Sequence, residues 1–225
     1  MKTMKNAVII PARGGSKRLP NKNIMLLEGV SLVAHSINFA KENSGLNLDI
    51  IVSTDHPEIK KIALEHNVTV VDRPKEISGD LTPSVAVMKH SIEVLGKKYD
   101  NVILLQPTNP LRPKNLLQDA FKIFTAGNFG SLMTVSKNKH KLGKIINNKF
   151  VPSTYKPGQR SQDLEPLFFE NGLLYITKVE HILNDKIITE DAFPMEINHP
   201  FASIDIDTQE DFDFAEYLYN KHKNE

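Results

Sequence analysis

Residues 7–23 read Ala7-Val8-Ile9-Ile10-Pro11-Ala12-Arg13-Gly14-Gly15-Ser16-Lys17-Arg18-Leu19-Pro20-Asn21-Lys22-Asn23. The unbroken apolar run at 7–10 is the pattern of a strand buried on both faces, as in parallel sheets covered by helices. Directly behind it stand two adjacent glycines and four cations, Arg13, Lys17, Arg18 and Lys22. Ligands of open α/β sheets bind beyond the carboxyl ends of the strands, so this loop falls where a polyphosphate would sit. Gly14 and Gly15 let the backbone approach an anion, and the cations offset its charge. Ala12, Arg13, Gly14, Gly15 and Ser16 are therefore candidate phosphate-binding residues. The spacing matches neither GxxxxGK[ST] nor GxGxxG, and a solvated basic turn is the competing reading.

Working outward, strand and helix patterns alternate. A helix pattern over 31–41 carries Leu32, Val33, Ile37 and Ala40 at helical spacing. A strand follows at 48–53, a helix at 57–66 opened by Pro57, and a strand at 68–71. Residues 72–82 form a polar loop, Pro83 opens a helix to about residue 98, 102–105 is a central strand, and Pro113 opens a helix toward residue 126. This alternation predicts an α/β architecture: a three-layer, Rossmann-like nucleotide-binding domain with a mainly parallel sheet. Residues 136–166 break the pattern, with only short apolar pieces such as Ile145-Ile146 and Phe150-Val151. Compact domains rarely carry a structureless loop that long, so the segment is expected to leave the sheet and protrude.

The chain has 225 residues, which suits one domain over 1–225. With 28 basic and 27 acidic side chains the formal charge is +1, so no global field draws the chain to nucleic acid or to anionic lipid. No nucleic-acid or membrane partner is expected. The absence of cysteine excludes a disulfide framework, a Cys-ligated zinc site and a thiol nucleophile, and fits a reducing compartment. Pro11 and Arg13 interrupt the N-terminal apolar stretch, which is too short for a signal-peptide core or a membrane span, so a cytoplasmic location is expected. No His-x-Glu, His-Glu-x-x-His or Gly-x-Ser-x-Gly pattern occurs, and no histidine is assigned to catalysis.

Near the C-terminus, Phe201-Ala202-Ser203-Ile204-Asp205-Ile206-Asp207 alternates as a strand would. Ala202, Ile204 and Ile206 would share one face and Ser203, Asp205 and Asp207 the other, setting the two carboxylates about 7 Å apart at the backbone. Hard oxygen ligands so placed suit Mg²⁺ bridging substrate phosphates. The competing reading is a helix cap by Asp207 or Thr208, since 207–210 has capping-box form before an amphipathic helix bearing Phe212, Ala215, Leu218 and Tyr219.

Four segments, in order along nearly the whole chain, resemble the acylneuraminate cytidylyltransferases, or CMP-sialic acid synthetases. These are the loop behind 7–10; Leu105-Gln106-Pro107-Thr108-Asn109-Pro110-Leu111-Arg112, similar to LQPTSPLR; Asn171-Gly172-Leu173-Leu174-Tyr175-Ile176, similar to NGAIYI; and Ile204-Asp205-Ile206-Asp207-Thr208, similar to IDIDT. Asn109 stands where that family usually has Ser, and Ser16-Lys17-Arg18 where its sialic acid enzymes commonly have SKG, departures that bear on the sugar. The resemblance implies transfer of CMP from CTP to the anomeric hydroxyl of a nonulosonic acid. Alternatives are another acid sugar (pseudaminic, legionaminic, KDN or KDO) or a non-catalytic nucleotide-binding module.

It also implies roles. Arg13 lies near the phosphates, Lys22 and Asn23 face the α-phosphate and ribose, and Asp205 and Asp207 hold Mg²⁺, giving a catalytic set of Arg13, Lys22, Asp205 and Asp207. The loop 73–84 reads cytosine, which needs a donor such as Arg73 and an acceptor from main-chain carbonyls or a hydroxyl near Thr82 and Ser84. Asp80 would fix this loop or touch ribose, and capping of the next helix competes for Thr82 and Ser84. Gln106, at the end of strand 102–105, suits a sugar hydroxyl or N-acyl group. Arg112 would meet the sugar carboxylate or only tie its loop to the next helix. Arg160 is a carboxylate or phosphate ligand donated across a homodimer built on 136–166. Asn171, with Gly172, sets a turn at the edge of the sugar site.

Overall fold

The computed structural model describes residues 4–223. Ala7, Val8, Ile9 and Ile10 are fully buried in β1 (Asn6–Pro11), the burial on both faces that an all-apolar run requires. A short hairpin, β2 (Leu26–Leu27) and β3 (Val30–Ser31), leads into α1 (Leu32–Glu42). Ser31 caps that helix, its hydroxyl accepting from the Ala34 N–H at 3.3 Å. β4 (Leu48–Thr54), α2 (Pro57–Glu65), β5 (Thr69–Asp72), α3 (Ser84–Leu95) and β6 (Asn101–Leu104) continue the alternation. α4 (Leu116–Gly127) and β7 (Ser131–Asn138) follow, then a separate hairpin of β8 (Gly143–Ile146) and β9 (Lys149–Pro152). β10 (Leu167–Lys178), α5 (Val179–Leu183), β11 (Phe193–Glu196) and α6 (Gln209–His222) complete the chain.

Seven strands form one sheet in the order β11-β7-β10-β6-β1-β4-β5. β6, β1, β4 and β5 pair in parallel, β10 runs antiparallel to both its neighbours, and β11 is parallel to β7. The chain steps outward from β1 to β4 and β5, then returns to place β6 on the other side of β1. That reversal is a topological switch point, and the crevice it leaves lies beyond the carboxyl ends of β1 and β6.

The strict alternation along β1 divides the core. Val8 and Ile10 pack with Val33, Ile37, Leu117 and Phe121 of α1 and α4, while Ala7 and Ile9 pack with Met88 and Ile92 of α3 and Ile182 of α5. Each such buried side chain stabilises by about 1.5–3 kcal/mol. A third cluster joins Leu19 of the first loop, Ile204, Ile206, and Phe212 and Leu218 of α6, and it fixes the first loop beside α6.

Three expected elements differ. Residues 202–207 are not a strand: a 3₁₀ turn at Pro200–Ser203 precedes an extended stretch whose Ile206 N–H donates to the Thr108 carbonyl at 2.8 Å. The alternation survives as burial, with Ala202, Ile204 and Ile206 inside and Ser203 and Asp205 exposed, because this stretch docks on α6 and meets no strand edge. α4 starts at Leu116, since Pro113 forms a turn whose carbonyl accepts from the Leu116 N–H. α3 stops at Leu95, where Gly96 takes φ 59°.

The segment 136–166 does leave the sheet. β8 and β9 pair only with each other, around Asn147 and Asn148 at φ 49° and 60°, the left-handed pair that a tight hairpin turn demands. Leu142, Ile145, Ile146, Phe150 and Val151 are exposed, as are Phe168 and Phe169 at the start of β10. Among the described residues no helix is long and apolar enough to cross a membrane.

Candidate active site

The loop behind β1 is shaped by the residues that follow β4. The Gly14 N–H donates to Asp55 Oδ1 at 2.9 Å, and a Cβ on Gly14 would collide with the His56 ring, so glycine is required there for close approach. At Gly15 a Cβ would meet open space, so the steric argument does not extend to it. Ala12 is buried and its N–H donates to the Ser53 carbonyl, while Asn23 donates its side-chain amide to the Arg13 carbonyl at 2.8 Å and so holds the loop from inside.

Every cation of the loop has a carboxylate. Arg13 Nη1 lies 2.6 Å from Asp80 Oδ1 and Lys17 Nζ 2.6 Å from Asp80 Oδ2. Lys22 is buried, with Nζ donating to the Ile206 carbonyl at 2.6 Å and to Asp207 Oδ1 at 2.7 Å, and Arg18 Nη2 is 2.9 Å from Asp207 Oδ2. Asp80 thus ties its own loop to the loop behind β1, and Arg18 is an ion-pair partner of Asp207. Arg13, Ser16, Lys17, Lys22, Asp80 and Asp207 surround one cavity of about 270 Å³.

Asp207 does not cap α6. Thr208 does, in a capping box with Asp211: the Thr208 hydroxyl accepts from the Asp211 N–H at 3.3 Å and Asp211 Oδ2 accepts from the Thr208 N–H at 2.8 Å. The register is one residue later than the 207–210 pattern suggested, which leaves both Asp207 oxygens turned to the cations.

Arg73 follows β5 and is buried, with Nη2 donating to the Ser53 carbonyl at 2.7 Å. Burial pulls its pKa down to about 10 against the opposing charge of Asp55, so it remains a cation at neutral pH. Neither Thr82 nor Ser84 caps α3; Pro83 occupies the cap position with no side-chain bond, which corrects the capping alternative.

On the other side of the crevice, Gln106, Asn109, Glu170, Gly172, Tyr175 and Asp205 line a cavity of about 300 Å³. Its wall is knotted by Asn109, whose amide donates to the Asn171 carbonyl at 3.1 Å and to the Ile204 carbonyl at 2.6 Å. Gly172, at φ 75°, leaves room for Asn109. The Asn171 side chain is occupied by Thr134, Ser136 and the Leu173 N–H, which makes it a brace of the β10 bulge at the edge of the cavity. Arg112 is corrected as a sugar ligand: buried, it donates to the Leu173 carbonyl, Ser36 Oγ and the Gln106 carbonyl, so it ties its loop to β10 and α1. Burial lowers its pKa to about 9. Arg160 pairs with Asp163 at 2.7 Å, is largely exposed, and lines neither cavity.

Asp205 is exposed over much of its surface, yet the cleft walls displace water from its carboxyl. This loss of water raises its pKa, a hydrogen bond with Thr108 opposes the shift, and the charge of Asp207 raises it further. The Tyr175 hydroxyl donates to Glu170 Oε2 at 3.0 Å, and its pKa is raised by burial, then by the charges of Glu170 and Asp205. Asp55, Glu170 and Tyr175 were not singled out from sequence. Asp55, next after the carboxyl end of β4, could have been found by the edge-of-sheet rule that found Gln106.

The two carboxylates fit Mg²⁺ in donor type. That ion takes one or two carboxylates and completes its shell with substrate phosphate and water, and a divalent charge would offset the repulsion between Asp205 and Asp207. Among the described residues no group of three or more His, Asp or Glu side chains forms an all-protein metal cage. A further cleft of about 1070 Å³ lies against α1 and α6 around His35, Phe39, His199 and Tyr219 and contains none of the loop cations.

A family model described as Cytidylyltransferase matches residues 7–224. The pseudaminic acid cytidylyltransferase of Campylobacter jejuni subsp. jejuni serotype O:23/36 is 34% identical over 227 residues, covering 96% of this chain and 97% of that protein. The CMP-N,N'-diacetyllegionaminic acid synthase of Legionella pneumophila is 34% identical over 229 residues, 96% of each chain. The N-acylneuraminate cytidylyltransferase of Streptococcus agalactiae serotype III is 34% identical over 218 residues, 93% of this chain and 52% of that protein. In fold, the chain superposes on CMP:2-keto-3-deoxy-manno-octonic acid synthetase complexed with CTP at a TM-score of 0.70 and 14% identity, covering 96% of this chain and 99% of that one.

Proposed function

Because the chain belongs to the cytidylyltransferase family, we propose that it transfers CMP from CTP to the anomeric hydroxyl of a nonulosonic acid, releasing pyrophosphate. One observation carries this reading: residues 205–207 stand between two cavities, with Asp207 lining the cationic one and Asp205 the one that holds Gln106. A triphosphate in the first and a sugar in the second would meet there. Relatives acting on pseudaminic, legionaminic and N-acylneuraminic acids are equally similar at 34% identity, so the substrate is named as a class.

In-line attack of the sugar hydroxyl on the α-phosphorus needs no covalent intermediate with the protein; alignment and charge neutralisation suffice. Arg13 and Lys22 serve the phosphates, and Gln106 offers both a donor and an acceptor to the sugar. Asp205 lines the sugar-side cavity, where its carboxylate would lie within reach of the hydroxyl proton. Asp205 and Asp207 would hold Mg²⁺, which supplies Lewis-acid stabilisation of the phosphoryl oxygens. Arg73 and the turn at Thr82 and Ser84 would read cytosine.

Among the described residues, the sugar-side cavity carries Glu170 and Asp205 but no Lys or Arg, so a sugar carboxylate would call for a cation from elsewhere. A homodimer answers this: the apolar hairpin β8–β9 docks on the partner copy and Arg160 reaches the partner's sugar site. The proposed reaction runs in the cytoplasm, a reading supported by the lack of cysteine, with CTP and the nonulosonic acid as partners.

Purified protein with Mg²⁺, a panel of nonulosonic acids and either CTP or UTP tests the reading by pyrophosphate release. Sugar-dependent release with CTP is expected, and a rate about tenfold or more lower with UTP, because its carbonyl would face an acceptor in place of the N4 donor. Release independent of sugar, or none with any member of the panel, contradicts it.

A further inference from the structure

Asp80 belongs to the loop between β5 and α3, yet its carboxylate is divided between two cations of the loop behind β1. Arg13 Nη1 is 2.6 Å from one oxygen and Lys17 Nζ is 2.6 Å from the other. About a third of the Asp80 side chain is accessible, and it lines the cationic cavity together with Lys22 and Asp207. A carboxylate that gives one oxygen to each of two cations satisfies them as two oxygens of a phosphate would. Lys17, then Arg13, hold its pKa below the ordinary range, so it is ionised at neutral pH. The same carboxylate joins the loop assigned to phosphate and the loop assigned to the base.

We propose that Asp80 is a displaceable internal counter-ion of the polyphosphate site: it occupies the Arg13–Lys17 pair, competes with the incoming phosphates for it, and so lowers the affinity of the loop for pyrophosphate and CTP. The inference rests on the assignment of this loop to the triphosphate. A purely structural Asp80 would behave in the opposite way, because removing it would disorder Arg13 and weaken phosphate binding.

Calorimetric titration of pyrophosphate, CTP and cytidine into wild type, Asp80→Asn and Arg13→Ala separates these cases. Asp80→Asn keeps the shape of the side chain and removes its charge at an accessible position. The expected result is a gain of about two- to fivefold in pyrophosphate and CTP affinity for Asp80→Asn, the range for partly exposed ion pairs, with no change for cytidine. Arg13→Ala should weaken both phosphate ligands. Unchanged or weaker pyrophosphate binding by Asp80→Asn, with Arg13→Ala still weakening it, overturns the counter-ion and leaves the phosphate assignment standing. Phosphate binding indifferent to Arg13→Ala overturns both.

Discussion

Lys22 Nζ lies 2.7 Å from Asp207 Oδ1 and 2.6 Å from the Ile206 carbonyl, joining positions 185 residues apart. The Lys22 side chain is 10% exposed and that of Asp207 32%, so the pair sits at the base of the cleft with its carboxylate end open to it. The N-terminal loop and the segment before α6 are thereby held in one place, as the third core cluster also requires.

Asp207→Asn should abolish CTP turnover while the fold persists. It also leaves Lys22 with a weakened counter-charge, and because the pair is open on one side the expected loss of stability is about 1–2 kcal/mol, below the range for fully buried pairs. Urea unfolding and a turnover assay on the same preparation check both parts. A variant with wild-type turnover would reduce Asp207 to a tie for Lys22.

Asn109→Ala should cost about 2–3 kcal/mol, since it strands the Asn171 and Ile204 carbonyls, both acceptors of the buried Asn109 amide. Asn109→Ser should recover little, because a hydroxyl lacks the second donor needed to bond both carbonyls. Chemical denaturation of the two variants measures this, and a serine variant as stable as wild type would refute the knot.

Asp49 gives the pH dependence of stability a definite sign. Burial would raise its pKa, but the Tyr99 hydroxyl at 2.9 Å, Lys97 at 3.2 Å and the charge of Lys5 overcome this and leave it lowered. A carboxyl depressed in the folded state contributes stability above its unfolded pKa and loses it as pH falls through the folded value. Asp49→Asn should therefore be less stable than wild type at neutral pH, with the difference shrinking below about pH 4. Circular dichroism during acid titration of both proteins reports it; parallel curves would show that the cluster contributes nothing.

If Arg160 acts across a dimer, mixing Arg160→Ala and Asp207→Asn subunits should restore activity, since one site of the heterodimer keeps both wild-type groups. Each homodimer should be inactive alone. No recovery on mixing, or full activity from a monomer in light scattering, would remove the trans role.

The layered fold was legible because β1 and β6 are buried on both faces and because α1 and α2 are opened by readable signals, Ser31 and Pro57. At 202–207 the alternation told which side chains are buried but not that the stretch lacks a partner strand, since burial against α6 and burial in a sheet leave the same pattern. The hairpin was foreshadowed by Ile145-Ile146 and Phe150-Val151 flanking Asn147-Asn148, although the sequence read there only as an excursion. Positions 13, 22 and 207 could be named, but not their ion pairs, because pairing joins loops whose approach only the tertiary fold sets. Arg112 shows the limit most plainly: its composition and spacing suit a carboxylate ligand and a buried brace equally, and only the three protein acceptors around it decide.

Phosphorus NMR of a reaction holding the protein, Mg²⁺, CTP and a nonulosonic acid tests the transfer of CMP most directly. A single phosphodiester resonance for the CMP-sugar and an equimolar pyrophosphate signal should grow together as CTP declines. Conversion of CTP to CDP and phosphate, or to CMP with no phosphodiester formed, would contradict attack by the sugar on the α-phosphorus.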